Sequence, residues 1–277
     1  MQTNSTKSEW IPVGALGDAF VPDNHCLPPV SDLIGKSLTL NFENGWTIRH
    51  DFASESLLNW SRLENGQTVE ESHERYSATR PRDGIYFVDF VKSAERATSV
   101  SLVLNLQDQT FLAIIGQLPV AEESLTPFIH RIAQDKELTA VTATFLPGTI
   151  DRPFDANAPL PNVTRELLGK RVAYTYSPLE KYEHVYLNDK YYAWRCISGS
   201  EKGLADTDAC HYYKIADQLY LFVWREKIVP TLGIVMVNLE AMKTTGKIMG
   251  YENNDFGKVR NFGVGAYAQV LSVIPAE

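Results

Sequence analysis

Much of what would announce a familiar class of protein is missing from this sequence. Across 277 residues no apolar run approaches the ~20 residues that a membrane helix needs. The opening MQTNSTKSEWIPVG has no apolar stretch of the kind found in secretory leaders. A cytoplasmic location is therefore expected, and the N-x-S/T matches at Asn4, Asn59 and Asn162 then carry no glycan. No basic cluster occurs, and the formal charge of −8 argues against binding nucleic acid through its phosphates. Cysteine is scarce: Cys26, Cys196 and Cys210 form no CxxC pair and suit reduced thiols better than disulfides. His25-Cys26 and Cys210-His211 are adjacent pairs, whose members face opposite sides of a strand, so no metal site is expected. There is no G-x-S-x-G elbow. GVGAYA, at residues 263–268, lacks the βαβ setting of a dinucleotide fingerprint, with only nine residues after it.

What is present is a repeat. LIGKSLTLNF from Leu33 matches LLGKRVAYTY from Leu167, pairing Gly35-Lys36 with Gly169-Lys170 at an offset of 134. Trp60 and Trp194, Tyr86 and Tyr220, and Gly116 and Gly250 keep that offset, and Asn105 pairs with Asn238. Each copy consists of short aromatic and β-branched runs such as WTIRHDF, IYFVDFV and TFLAIIGQL. Turn pairs separate them, including Asn44-Gly45, Asn65-Gly66 and Asp83-Gly84. Seven or eight strands at about ten-residue spacing predict an antiparallel meander that closes into a barrel, removing exposed edges. The fold class expected is all-β, two tandem lipocalin-like antiparallel barrels with one short helix.

The expected boundaries are an extended arm over residues 1–32, a first barrel over 33–147, a linker over 148–166 and a second barrel over 167–277. The helix is placed at SLTPFIHRIAQDKEL, with Leu125, Phe128, Ile129 and Ile132 on one face. A polar, acidic sequence of this kind does not advertise large exposed apolar patches.

The two tandem copies resemble the family called molybdenum cofactor biosynthesis protein F, MoaF, over essentially the whole chain. That family is associated with molybdenum cofactor and monoamine metabolism. No Gly-rich phosphate loop or cysteine cluster accompanies the name here, and no cofactor is expected. More distantly, each copy resembles phenolic acid decarboxylases, single lipocalin-like barrels that remove CO₂ from 4-hydroxycinnamic acids without a cofactor. The first copy keeps the turn Glu43-Asn44-Gly45-Trp46, but has Leu40, Phe42 and Ile48 in place of the family's tyrosines and Lys92 in place of its glutamate. The second matches the tyrosines at Tyr174, Tyr176 and Tyr182, and Trp224-Arg225-Glu226 matches its W-T-E. ISGSEKGLAD follows its SG…GRW segment as far as Gly203, where Leu204 replaces the arginine.

Tyr174 and Tyr176 lie at i and i+2 on a strand and so share a face, which suits either packing or the gripping of a ligand. With Glu226 on a later strand of the same copy, the resemblance implies acid–base catalysis on a conjugated aromatic or enol substrate. Glu226, Tyr174 and Tyr176 are the expected catalytic residues. Phenols would hold a substrate oxyanion while Glu226 moves a proton, its pKa raised by an apolar pocket. Tyr182, His184, Trp194 and Trp224 are the expected substrate-binding residues. Arg195 is the candidate replacement for the missing arginine, whereas Arg225, beside Glu226, is expected to point outward into solvent. The cavity is expected in the second barrel, at a few hundred Å³. The first is expected to be filled by Leu40, Phe42 and Trp60. The rival expectation is a non-catalytic calyx that holds a small molecule. The partner expected is a small aromatic or conjugated ligand, with a homo-oligomer compatible with the sequence and no nucleic acid or membrane.

Overall fold

The structure, a computed structural model, describes residues 10–21 and 23–274. The first nine residues of the arm and the last three of the second copy lie outside the described residues. The N-terminal barrel starts with β1 (Ser37–Phe42), β2 (Thr47–Phe52), β3 (Leu57–Glu64) and β4 (Gln67–Arg82). It continues through β5 (Ile85–Val91), β6 (Thr98–Asn105), β7 (Thr110–Gln117) and β8 (Thr142–Ile150). All neighbours are antiparallel, and β8 returns to β1 to close the ring. A short β9 (Asn162–Val163) leads into β10 (Lys170–Thr175), β11 (Lys181–Tyr186), β12 (Tyr191–Ser198) and β13 (Ala205–Ala216). Then come β14 (Leu219–Glu226), β15 (Thr231–Asn238), β16 (Lys243–Glu252), β17 (Asp255–Val264) and β18 (Tyr267–Val273). The second ring closes through the β12–β13, β16–β18 and β10–β18 pairings. The fold is thus two closed eight-stranded barrels, with β9 and β17 outside the second ring.

The repeat is visible in the bonding as well as the topology. Gly35 and Gly169 both have φ +76, and each donates its N–H to the carbonyl at the end of the second strand, Phe52 or Tyr186. The Tyr86 hydroxyl donates to Asp32, which also accepts from Arg80. At an offset of 134, Tyr220 donates to Glu166, which also accepts from Lys214. The side chains of Asn105 and Asn238 each accept two backbone N–H groups of the following turn. Changing an acid, a cation or a neighbouring aromatic leaves this scaffold intact because each copy keeps the hydrogen-bonding roles.

Each barrel has its own core, and a third apolar cluster lies between them. That seam joins the outer faces of β5, β6 and β7 to those of β14, β15 and β16, through Phe87, Leu112 and Ile114 on one side and Leu221, Leu232 and Ile234 on the other. Strands buried on both faces lose the alternation of a half-buried strand, which is why LYLFVW and TLGIVMVN read as unbroken apolar runs. Gly116 has to be small here: a Cβ on it would lie 2.1 Å from Leu232.

Among the described residues three helices form instead of one. The arm is not extended throughout: α1 (Val13–Phe20) packs Val13, Gly14, Gly17 and Phe20 onto the second barrel. It meets β16 and β17, where Phe20 stands edge-on to Phe262 and Asp18 pairs with Arg260. A helix this short is marginal alone, and docking sustains it. The helix expected near residues 124–138 is divided by Pro127 into α2 (Ala121–Ser124) and α3 (Phe128–Ala133). Its apolar face is open: Leu125 is 75% exposed, and Phe128, Ile129 and Ile132 are exposed as well. An apolar patch therefore exists that the overall composition did not suggest.

Candidate functional site

The interior of the C-terminal barrel brings together most of the residues expected there. Tyr176, Tyr182, His184, Trp194, Trp224 and Glu226 line one cavity. Alternation along the strands accounts for this: Trp224 and Glu226 share the inner face of β14, and Tyr182 and His184 that of β11. The Glu226 carboxyl is buried and accepts a hydrogen bond from Trp224 Nε1 at 2.8 Å. Burial first, then the charges of Asp208 and Glu201, raise its pKa well above the ordinary carboxylate value. Its surroundings thus favour the protonated form. Burial likewise raises the Tyr176, Tyr182 and Tyr192 phenols. His184 is 5% exposed, and burial lowers its pKa to about 3. Its Nδ1 has no hydrogen-bond partner among the described residues.

Two expected residues lie elsewhere. Tyr174 faces inward, but its hydroxyl meets that of Tyr186 at 2.5 Å, and its ring packs on His184 instead of forming the cavity wall. No hydrogen bond joins Glu226 to Tyr174 or Tyr176 among the described residues. Arg195 follows Trp194 on β12 and so takes the outer face, where it pairs with Glu183 at 2.9 Å. It does not replace the missing arginine. Arg225 also leaves the interior but is not solvated. It is buried against the connection between β7 and β8, donating to Glu137 at 2.6 Å and to the Val141 carbonyl at 3.1 Å.

The structure adds residues to this site. Glu201 accepts the Tyr182 hydroxyl at 3.0 Å, and Asp208 accepts Trp194 Nε1 at 2.9 Å. Burial raises the pKa of both acids. The loop that carries Glu201 depends on Gly199, which has φ +118 and whose Cβ would lie 2.0 Å from the Glu180 carboxylate. Tyr192, two residues before Trp194, was accessible to the same alternation argument. From α1, Leu16 and Phe20 line the cavity, with Phe20 stacked on Tyr176 at 4.9 Å between ring centroids. The cavity volume is about 30 Å³, far below the expected size. The larger cavity, about 280 Å³, lies in the N-terminal barrel, which is not filled as expected. Among the described residues, no group of three or more His, Cys, Asp or Glu is arranged to hold a metal ion. No helix among them is long and apolar enough to cross a membrane.

The chemistry available in the C-terminal interior is hydrogen bonding and proton transfer from neutral groups, against aromatic walls. No Lys or Arg lines this cavity among the described residues. Comparison with known proteins matches residues 8–120 to the MoaF N-terminal domain and residues 161–274 to the MoaF C-terminal domain. A crystal structure of a putative beta-lactamase from Burkholderia vietnamiensis is similar over 40% of this chain and all of its own. At 11% identity and a TM-score of 0.34, the likeness is too slight to bear on fold or function. Protein MoaF of Klebsiella aerogenes is 42% identical over 272 residues, which cover 97% of this chain and 98% of that protein. With both halves matched and a relative collinear over nearly all its length, the chain belongs to the MoaF family.

Proposed function

We propose that the C-terminal barrel binds a small aromatic or conjugated molecule and moves a proton on it, as a cofactor-independent lyase or isomerase would. The observation that carries this reading is a carboxyl with a raised pKa, Glu226, lining a cavity beside phenols. A carboxyl kept protonated at neutral pH is a usable general acid, and its conjugate base can collect the proton again. The Tyr176 hydroxyl has no hydrogen-bond partner among the described residues, so it is free to donate to a substrate oxygen as charge develops there. His184, held neutral, can accept or donate at the far end of the ligand.

The lining also narrows the substrate. With no cation on the wall, a neutral enol or phenol suits the cavity better than a carboxylate, and 4-hydroxycinnamate decarboxylation is disfavoured. The molybdenum cofactor of the family's name does not fit either. Its phosphate would face Glu201 and Glu226 with no Lys or Arg among the described lining residues.

A purely ligand-holding role is favoured by one observation. Leu16 and Phe20 of α1 form part of the wall of a cavity of only about 30 Å³, so admitting a substrate at each turnover would require α1 to shift. The two readings separate in one experiment, with proton exchange at carbon followed by NMR in D₂O on a panel of neutral conjugated phenols and enols. The catalytic reading expects protein-dependent exchange that Glu226→Gln abolishes while binding persists. Binding without exchange by the wild-type chain leaves the holding role.

A further inference from the structure

We infer that the N-terminal barrel is a second binding site, built for a small apolar molecule that ends in a carboxylate. Its cavity of about 280 Å³ has room for one ring with a short side chain, whereas the other barrel encloses about 30 Å³. The wall is mostly apolar, formed by residues such as Phe42, Phe90 and Leu102, and Trp46, 44% exposed, marks the mouth. Four polar side chains join it: His50, Trp60, Lys92 and Glu95, the last an acid paired with Lys92.

His50, Trp60 and Lys92 occupy the repeat positions of His184, Trp194 and Glu226, all at an offset of 134. The fold thus presents the same places to both interiors, and one carries the opposite charge. Trp60 is 7% exposed, and its buried Nε1–H has no acceptor among the described residues. In the C-terminal barrel the equivalent Trp194 donates to Asp208. Glu74, which stands in the place of Asp208, turns instead to the Ser93 backbone N–H at 3.0 Å and the Ser93 hydroxyl at 3.3 Å. The acid that would satisfy the indole is committed elsewhere, leaving that donor for a ligand.

Lys92 supplies the charge. Its Nζ lies 5.0 Å from the centre of the Trp60 ring, so one acceptor group can approach both the ammonium and the indole side of the wall. Its present partner, Glu95, is 48% exposed and can turn out to solvent. His50 is held neutral, its pKa lowered to about 4 by burial, so it adds a hydrogen bond and no charge. With Glu95 turned out to solvent, a carboxylate meets one cation and one orphan donor here, while an amine would meet that cation unfavourably.

The test uses the full chain and 3-phenylpropionate, with 3-phenylpropanamide and 3-phenylpropylamine as neutral and cationic counterparts. The readouts are titration calorimetry and the indole N–H resonances of the five tryptophans, assigned by substitution. The acid should move the Trp60 signal and leave those of Trp194 and Trp224 in place. It should bind at least tenfold more tightly than the amide or the amine. Lys92→Met should remove that preference, and Ala113→Leu, which fills the cavity from its wall, should abolish binding. Both variants are first checked for wild-type spectra. A Trp60 signal unmoved by the acid, equal affinity for the three compounds, or an unchanged preference in Lys92→Met overturns the inference. A response confined to Trp194 and Trp224 also overturns it and places the ligand in the other barrel.

Discussion

At the scale of single residues, the two interiors are chains of buried titratable groups whose charged forms are disfavoured. Burial brings His184 to about 3 and His50 to about 4, from an ordinary 6.5. Both values fall on folding, so between them and 6.5 the unfolded chain binds more protons than the folded one. Their contribution to stability is full above pH 6.5 and drains away as the pH falls through that window. Glu226 and Glu201 act in the opposite sense. Their pKa values rise on folding from an ordinary 4.5, so their contribution is full below that value and lost as the pH climbs through the raised ones. Melting temperature against pH should therefore show two limbs with different owners. His184→Gln should flatten the acid limb, and Glu226→Gln the limb from neutral to alkaline pH. An unchanged alkaline limb in Glu226→Gln would show that the carboxyl is ionised in the folded protein. If proton exchange is found, Tyr176→Phe should lower kcat roughly a hundred- to a thousand-fold, the usual cost of one lost oxyanion donor. Strand alternation made most of these residues legible in the sequence, and it would have placed Arg195 outside, because it adjoins Trp194. The burial of Arg225 was not legible, since the segment that covers it, Glu137–Val141, belongs to the other copy.

At the scale of elements, the strands and the helical segment at Phe128–Ala133 were legible, and α1 was not. Turn pairs and aromatic runs locate a strand locally, whereas α1 exists because a surface receives it. Its sequence VGALGDAF has two glycines, poor helix formers, and they face the barrel because a side chain would collide there. A Cβ on Gly14 would lie 2.5 Å from the Glu252 carboxylate. The two copies diverge at the same point in their connectivity, just before the last strand. The first has α2 and α3 there, reaching over to the end of β14, while the second has the β16–β17 hairpin that supports α1. If α1 is what limits entry, Phe20→Ala should speed ligand association with the C-terminal barrel at least tenfold. It should also cost about 3–5 kcal/mol of stability, in line with removing a buried aromatic side chain. Stopped-flow quenching of tryptophan fluorescence measures the first effect and urea unfolding the second. An unchanged association rate would mean that ligands reach the interior by another route.

At the scale of the whole molecule, the two copies meet along an apolar seam between the barrels. Its apolar strands are joined there by a buried ion pair. Lys247, 1% exposed, lies 3.6 Å from Asp89 and donates to the Ser99 hydroxyl at 2.6 Å. Asp89 accepts in addition from Ser101 at 2.6 Å and from Asn261 at 2.7 Å. Removing two charges from water costs more than their attraction returns unless the remaining hydrogen bonds are satisfied, and here each charge has at least one further partner. The pair is better understood as fixing how the barrels meet than as a source of net stability. Lys247→Met should therefore be expensive, about 3–5 kcal/mol, because it leaves Asp89 buried without its cation. Adding Asp89→Asn should recover much of that loss, since an amide keeps hydrogen bonds to Ser101 and Asn261 while removing the stranded charge. Urea unfolding of the wild type, both single variants and the double variant gives the coupling between the two positions. A double variant less stable than Lys247→Met alone would mean that the negative charge of Asp89 stabilises the seam independently of Lys247. Unfolding in two separate steps would mean that the barrels stand alone and the seam only brings them together.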